Sequence, residues 1–252
     1  MSPVTILYFQ CISVETSHYQ SSLGVFLYNF GKNITSVTIP ESVTAINDGA
    51  FEGWTSLKNV SIGGSVKSIG ANAFKSCTSL TEIELPIPVS TIGEKAFENC
   101  SSLSTITLGD SVKVIEQYAF NGCSSLNTVD INSLLTMFNM QCNGRFSNPF
   151  SLVSNLHING EDIASELVIP EGVTEINSGF MYKFWSNITS VTMPKSLKSI
   201  GASAFSNWSQ LENITIGDSV KIIKNNAFNG CSSLTTITIP NQVTTIENAA
   251  FS

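Results

Sequence analysis

The sequence predicts a solenoid of stacked coils with a period of 23 residues, in which short parallel β-strands alternate with tight turns or short helical segments. Three observations predict this α/β-type repeat. An Ala-Phe pair recurs every 23 residues on either side of one interruption, at Phe51, Phe74, Phe97, Phe120, Phe205, Phe228 and Phe251. A Leu-x-x-Ile-x-Ile/Leu pattern recurs at the same step, and Pro or Gly follows most copies of it. Since so short a coil cannot bury its apolar side alone, the coils must stack, and the chain has room for about ten of them.

The first part of each coil is predicted to be a half-buried strand. Its β-branched residues alternate with polar residues, which is the period-two pattern of a strand with one face in the core. The Pro or Gly that follows forces the chain to turn. The copies before the interruption span residues 34–39, 57–62, 80–85, 103–108 and 126–131.

The rest of each coil is a second, shorter extended piece and a tight turn. The extended pieces span residues 43–46, 66–69, 89–92 and 112–115. The turn reads Gly-x-x-Ala-Phe-x-x-Cys in its clearest copies, which is too short for a long helix and is predicted to direct the Phe inward. Stacked coils then place their strands about 4.8 Å apart in a parallel sheet.

The repeat divides the chain into four segments. Residues 1–19 are predicted to form a degenerate N-terminal cap, and residues 20–131 the regular repeats. Residues 132–165 are an irregular insertion, with a loop of little regular structure at 132–150 and a hairpin at 156–163, where Asn159-Gly160 fits a type I′ turn. Residues 166–252 resume the repeat, in an array that is incomplete at its C-terminus. One extra residue near 180–182 leaves the Phe slot of that coil unassigned.

Four of the six cysteines share one slot of the repeat, three residues after the Phe. They are Cys77, Cys100, Cys123 and Cys231. Trp54 and Trp208 fill the same slot in two other coils, which a disulfide or metal ligand would not tolerate but an apolar core position would. We therefore predict a ladder of buried, reduced cysteines. The pattern assigns no role to Cys11 and Cys142.

The charge and hydropathy of the chain exclude two classes of partner. The formal net charge is -7, so the surface should repel the phosphates of nucleic acids and anionic membranes. No run of 18 or more apolar residues occurs, which predicts that this chain contains no membrane span. The N-terminal residues lack the basic flank of a signal peptide.

The sequence also predicts no enzyme. It has two histidines, His18 and His157, and no nucleotide-binding loop or zinc-protease motif. The alternation around His157 predicts that this side chain faces solvent, and adjacent pairs such as Glu82 with Glu84 are typical of a solvated sheet. We therefore predict no catalytic, metal-binding or cofactor-binding residue, and no cofactor.

The candidate binding face consists of the outward-pointing residues of the strands. In Leu-x-x-Ile-x-Ile the apolar residues point inward, so the two polar slots point outward. They carry short hydroxyl, amide and carboxylate side chains, at Ser36, Thr38, Asn59, Ser61, Glu82, Glu84, Thr105, Thr107, Thr128, Asp130, Ser190, Thr192, Asn213, Thr215, Thr236 and Thr238. Thr and Ser suit any exposed strand. The same columns would also form a broad, rigid surface for a protein or glycan ligand.

Six Asn-x-Ser/Thr sequences are possible N-glycosylation sites. They lie at Asn33, Asn59, Asn99, Asn187, Asn207 and Asn213. A chain rich in Asn, Ser and Thr contains such sequences by chance, and they acquire meaning only if the protein passes through a eukaryotic secretory route. Glycans on Asn59 and Asn213 would crowd the candidate binding face.

The repeat resembles a known family. The run Gly-Cys-Ser-Ser-Leu-Thr-Thr-Ile-Thr-Ile-Pro at 230–240, with Val-Thr-Thr-Ile at 243–246 and Ala-Phe at 250–251, is similar to the BspA-like, treponemal-type leucine-rich repeat of bacterial and protist surface proteins. The likeness covers about residues 20–252, and the Ser-Asn-Pro loop followed by the Asn-Gly-Glu hairpin resembles a variant module of such proteins. The resemblance implies a curved, right-handed leucine-rich repeat solenoid and, for some members, virulence-associated attachment to host matrix, epithelium or other microbes.

Two function hypotheses follow. The first is a non-enzymatic adhesion or recognition protein, secreted or at the cell surface, which binds host or microbial proteins or glycans through the sheet face, the 132–150 loop, or both. The alternative is a cytoplasmic scaffold that uses the same face for protein–protein interaction, which the reduced cysteines and the missing signal peptide would suit. The sequence does not identify the ligand or the oligomeric state.

Overall fold

The computed structural model describes residues 31–144, 146–176 and 187–252, and the backbone of Leu7–Tyr8. The described chain is a β-solenoid of leucine-rich repeat type with the predicted 23-residue period. It forms two compact units. Unit 1 comprises Met1–Asn132 and Met140–Pro149, and unit 2 comprises Ser133–Asn139 and Phe150–Ser252.

The strands of unit 1 are short and alternate between two ladders. In chain order they are β1 (Leu7–Tyr8), β2 (Ser36–Ile39), β3 (Asn59–Ile62), β4 (Ser68–Ile69), β5 (Glu82–Glu84), β6 (Thr91–Ile92), β7 (Thr105–Leu108), β8 (Val114–Ile115), β9 (Thr128–Ile131) and β10 (Gln141–Cys142). The first ladder joins β1, β2 and β3, and separately β5, β7 and β9; the second joins β4, β6, β8 and β10. No backbone ladder connects β3 to β5.

Unit 2 repeats this arrangement after the insertion. It contains the helix α1 (Leu134–Asn139) and the strands β11 (Asn155–Ile158), β12 (Glu161–Asp162), β13 (Glu166–Val168), β14 (Glu175–Ile176), β15 (Ser190–Thr192), β16 (Ser199–Ile200), β17 (Asn213–Thr215), β18 (Ile222–Ile223) and β19 (Thr245–Ile246). One ladder joins β13, β15 and β17, and the other joins β14, β16, β18 and β19. A 3-10 turn spans Pro149–Ser151.

The ladders pair residues of the same repeat slot. Ile83 lies opposite Ile106, and Ile106 opposite Val129, in parallel register. Because side chains alternate between the two faces of a strand, a fixed period of 23 keeps each apolar slot in the core and each polar slot outside. The predicted first strands are confirmed in position, although each is two or three residues shorter than its sequence pattern.

The repeat phenylalanines form a stack through the core. In unit 1 the ring centroids of Phe51, Phe74, Phe97 and Phe120 are 5.1, 5.4 and 5.6 Å apart along the series. The last two pairs are within 6° of parallel. In unit 2, Phe228 stacks on Phe205 at 5.2 Å, so the predicted inward direction of the phenylalanines is confirmed. Aromatic pairs at this distance stabilise the core beyond the effect of the apolar area that each ring buries.

The cysteine slot lies next to this stack. The side chains of Cys77, Cys100 and Cys123 are buried, as predicted, and each thiol donates a hydrogen bond to a backbone oxygen of the preceding coil. For Cys100 the acceptor is the Phe74 oxygen, at 3.0 Å. Trp54 fills the same slot and packs edge-on against Phe51, with centroids 5.0 Å apart. The slot is therefore an apolar core position that accepts either residue type.

Glycine follows several strands at positions where the preceding coil passes very close. A Cβ atom added at Gly109 would lie 2.7 Å from the Pro86 oxygen, and one at Gly93 would lie 2.6 Å from the Ala71 nitrogen. Real Cβ atoms do not approach backbone atoms so closely. A side chain at either position would therefore force the backbone of one of the two coils to shift.

The 132–150 segment differs from the prediction of a loop with little regular structure. It contains α1, and β10 extends the second ladder of unit 1, with Gln141 opposite Val114 and Cys142 opposite Ile115. Met137, Phe138 and Met140 are buried, so this segment supplies core residues without following the repeat pattern. Burial of these apolar side chains stabilises local structure that the period does not predict.

At the position of the predicted hairpin, β11 and β12 pair antiparallel, with Ile158 opposite Glu161. The two residues between them, Asn159 and Gly160, have φ of 55° and 80°, as a type I′ turn requires.

Several predicted features lie outside the described residues. They include Cys11, the side chains of the 1–19 cap and the Phe slot near 180–182. Of the cap, the structure describes Leu7–Tyr8, which pair in parallel with Val37 and Thr38 of β2. In the last coil, residues 236–239 form no strand, and Phe251 is 41% exposed.

Candidate functional site

The strand face, as the outward-pointing residues of the first ladders are called here, forms in-register columns. In unit 1, Ser36 pairs with Asn59 and Thr38 with Ser61 across β2 and β3. Residues paired in this way have their side chains about 5 Å apart along the stack. No ladder hydrogen bonds continue these columns from β3 to β5.

The middle part of the strand face lies on β5, β7 and β9. One column runs from Glu82 through Thr105 to Thr128, and the other from Glu84 through Thr107 to Asp130. The two Glu side chains are exposed, whereas the Thr side chains and Asp130 are half-buried. The pattern is one of carboxylates and hydroxyls on a backbone that is hydrogen-bonded through all three strands.

In unit 2 the strand face lies on β15 and β17. Ser190 pairs with Asn213, and Thr192 pairs with Thr215. Thr236 and Thr238 are exposed, but their segment has no ladder to β17, so the structure does not place them in these columns.

The strand face carries side chains that can form hydrogen bonds with a ligand. Hydroxyl and amide groups donate and accept hydrogen bonds, and ionised carboxylates accept them. Within the described ranges, no three or more His, Cys, Asp or Glu side chains are grouped so that they could hold a metal ion.

The thiols near the core are poor nucleophiles. Burial raises the pKa of the Cys77 and Cys123 thiols to about 12, and it raises the pKa of Cys100 well above its ordinary value. Only the thiolate is reactive, so these groups are inert at neutral pH. Cys142 and Cys231 are half-buried and free of disulfides, so the predicted burial is not complete at Cys231.

The asparagines of the six Asn-x-Ser/Thr sequences are all exposed. Asn59 and Asn213 lie on strands of the strand face, in equivalent slots of their coils. Asn99 and Asn207 have φ of 60° and 64°, and their side chains pack against the glycines of the next coil. The two groups therefore differ in backbone conformation.

A second cluster, on the turn side of unit 1, is one that the sequence analysis did not identify. The rings of Tyr118 and Phe146 are 6.4 Å apart, and Lys95 Nζ lies 5.8 Å from the centre of the Tyr118 ring. Phe146 is 48% exposed. The signal that could have indicated the cluster is Tyr118, a large aromatic residue in a slot that holds Asn72 and Lys95 in the two preceding coils.

No helix in the three described ranges combines the length and the hydropathy needed to cross a membrane.

Comparison with known proteins gives one family and several structures. A family model described as "BspA type Leucine rich repeat region" matches residues 21–150 and 159–252, in six copies. A search of curated proteins gave no match.

Three solved structures are similar to this chain. A leucine rich cell surface protein from Faecalibacterium prausnitzii is 29% identical over 90% of this chain and 72% of its own, with a TM-score of 0.44. The pneumococcal vaccine antigen PcpA is 22% identical over 85% of this chain and 58% of its own, with a TM-score of 0.47. A T. pallidum leucine rich repeat protein is 26% identical over 79% of this chain and 78% of its own, with a TM-score of 0.38.

Proposed function

Since this chain belongs to the BspA-type leucine-rich repeat family, we propose that it is a non-enzymatic recognition protein of the cell surface that binds a partner through the strand face. The partner is a protein or glycan of a host or of another microbe. Adhesion is the activity that this binding would serve. The proposal of a surface location rests on the resemblance of the repeat to bacterial and protist surface proteins.

The observation that carries the proposal is the rigid register of the strand face. The columns on β5, β7 and β9 are fixed by ladder hydrogen bonds, and all of their side chains except Glu82 and Glu84 are short. Ordering a flexible side chain on binding costs about 0.5–1.5 kcal/mol, so a surface of Thr and Ser on a rigid sheet loses less entropy than one of Lys or Gln. A broad surface of this kind suits an extended partner.

The location is tested by protease treatment of intact source cells, with mass spectrometry of the released peptides. Release of peptides from this chain, while cytosolic markers stay inside, is the expected result. Protection of the chain until the cells are lysed would contradict the surface location.

The binding face is tested by substitution. We expect Thr107→Lys, in the centre of the middle columns, to weaken binding to intact host cells and to a panel of purified matrix proteins by at least about tenfold, because a long cation displaces the partner from the sheet. Thr55→Lys is the matched control, since Thr55 is exposed on a turn away from the strand face. Equal loss in both variants, or in neither, would remove the strand face from the proposal.

A second candidate is an intracellular scaffold that binds a protein through the same face. The observation that favours it is the number of free cysteines, five among the described residues, since surface and secreted proteins tend to pair theirs. Protection from protease on intact cells, followed by capture of one defined partner that wild type binds and Thr107→Lys does not, is the result expected of a scaffold.

A further inference from the structure

We propose that unit 1 carries a saccharide-binding site on its turn side, separate from the strand face. This turn platform consists of Tyr118 and Phe146 with the polar side chains of Glu94, Glu116 and Asn143. It goes beyond the proposed function and does not depend on it, because the two surfaces share no residue.

The fold does not require an aromatic residue at the position of Tyr118. The equivalent residues of other coils also have positive φ values, from 53° to 56°, and are small or polar: Asn72, Lys95, Ser203, Asn226 and Ala249. Tyr118 has a φ of 60°, a conformation that bulky residues rarely adopt. An aromatic ring placed there against the local backbone preference, and only half-buried, is therefore not explained by core packing.

Phe146 also differs from the residue that makes the equivalent backbone hydrogen bond in the preceding coil. Its backbone oxygen accepts a hydrogen bond from the Phe120 nitrogen at 3.1 Å, in the role that Ala119 performs for Phe97. Ala119 is buried, whereas Phe146 is 48% exposed and has a φ of 53°. The ring lies beside Tyr118, tilted by 32° to it. The backbone contact fixes the residue in place while its ring stays at the surface.

The same coils also carry polar side chains that are held by hydrogen bonds. Asn143 Nδ2 donates to both carboxylate oxygens of Glu116 at 3.2 Å. Lys95 Nζ bonds Glu94 Oε1 at 2.8 Å and lies near the Tyr118 ring. A carboxylate has about four acceptor sites, so each Glu keeps capacity for ligand hydroxyl groups. The polar groups are thus positioned before any ligand arrives.

The small size of the exposed apolar area favours a sugar as the ligand of the turn platform over a protein. An aromatic side chain buries about 150–250 Å² when fully covered, so a ring that is half exposed offers roughly 100 Å². A stable protein partner covers about 800 Å² on each side. One face of a pyranose ring is rich in C–H groups and its edge carries hydroxyl groups, which matches an apolar patch of one or two rings within a set of hydrogen-bonding side chains.

The test is binding of the labelled protein to a printed array of neutral and sialylated oligosaccharides. We expect wild type to bind a defined subset, and Tyr118→Asn and Phe146→Asn to bind that subset at least about tenfold more weakly, the size of one lost stacking contact. Asn tolerates positive φ, so both variants should keep the fold. An unchanged urea unfolding midpoint checks this.

Thr107→Lys distinguishes this site from the strand face. It should leave array binding unchanged even if it abolishes binding to cells or matrix proteins. Tyr118→Asn and Phe146→Asn should weaken array binding and leave the binding of a protein partner to the strand face unchanged. No oligosaccharide bound by wild type, or equal binding by wild type and both Asn variants, would overturn the turn platform and leave the strand face unaffected.

Discussion

Each repeat phenylalanine stabilises the core as a member of a stack of identical residues. Phe97 is fully buried, with Phe74 at 5.4 Å on one side and Phe120 at 5.6 Å on the other. Phe251 has a ring neighbour at 5.3 Å in Phe228 and is 41% exposed. The same residue type in the same slot therefore contributes different amounts to stability, depending on how much of its ring is buried.

We expect Phe97→Ala to lower the free energy of unfolding by about 3–5 kcal/mol, because it removes a buried ring and leaves a cavity. Phe251→Ala is the matched control and should cost less than half as much. Urea unfolding of the three proteins gives these values. A Phe97→Ala variant that unfolds at the wild-type midpoint would refute the register of the stack.

The thiols give a prediction about pH. Burial raises the pKa of Cys77 and Cys123 from 9.0 to about 12 in the folded chain, so the unfolded thiols ionise first. The stability that depends on the neutral thiols is fully present below pH 9.0 and is lost as the pH rises toward 12.

We expect the free energy of unfolding to fall between pH 8 and about pH 10.5, by about 1–2 kcal/mol for each of the two thiols. The variant Cys77→Ala/Cys123→Ala lacks these groups and should fall less over the same interval. Urea unfolding at both pH values measures the difference. Identical losses in wild type and the double variant would contradict the assigned cause.

Turns connect the strands, and some of these turns pass very close to the turn of the preceding coil. Gly109 sits where a Cβ would lie 2.7 Å from a backbone oxygen of the preceding turn. At Gly64 a Cβ would approach only the carboxylate of Glu41, at 3.3 Å, and that side chain is flexible. The contrast separates glycines that the stacking requires from one that it does not.

Gly109→Ala should therefore destabilise the protein by about 1–3 kcal/mol, since either the coil or its neighbour must shift. Gly64→Ala should change stability by no more than about 0.5 kcal/mol. Thermal unfolding of the two variants beside wild type is sufficient to compare them. If Gly64→Ala were the more damaging, the close approach at Gly109 would not be limiting.

A polar ladder supports the turns of unit 1 from outside the core. Lys75 lies 3.8 Å from Glu52 and 3.3 Å from Glu98, and Asn121 donates to Glu98 at 3.1 Å. These residues again follow the period of 23. Exposed pairs of this kind contribute about 0–1 kcal/mol each, so the ladder adds less to stability than one Phe of the core stack.

At the scale of the whole molecule, the 23-residue period makes each coil depend on its neighbours. The ladders connect residues one period apart, from Ser68 to Thr91 in unit 1 and from Ser199 to Ile222 in unit 2. In such arrays stability is close to a sum of coil terms and nearest-neighbour terms. Damage should thus remain near the coil in which it occurs.

Hydrogen exchange of Phe97→Ala tests this expectation. Amides of the adjacent coils, such as those of Phe74 and Phe120, should exchange faster, while those of Phe205 and Phe228 should keep wild-type rates. Phe205→Ala should give the reciprocal pattern. Uniform acceleration along the chain in either variant would indicate one cooperative unit and contradict the nearest-neighbour description.

The sequence by itself determined everything that repeats: the period, the parallel strands, the inward phenylalanines and the cysteine slot. The sequence determined these features because each depends only on a residue and its equivalents one coil away. The same relation recurs in every copy of the repeat, so the pattern is easy to detect. It also predicted that the polar slots of the strand face lie outside the core. Binding of a partner there depends on the ligand as well as on these residues.

Only the tertiary structure decided what occurs once. The helix α1 and strand β10 lie where the period stops, and their formation depends on the burial of Met137, Phe138 and Met140. The missing ladder between β3 and β5 and the meeting of Tyr118 with Phe146 are likewise single events. Contacts between residues in unrelated slots leave no periodic signal, because they are set by how the insertion packs in three dimensions.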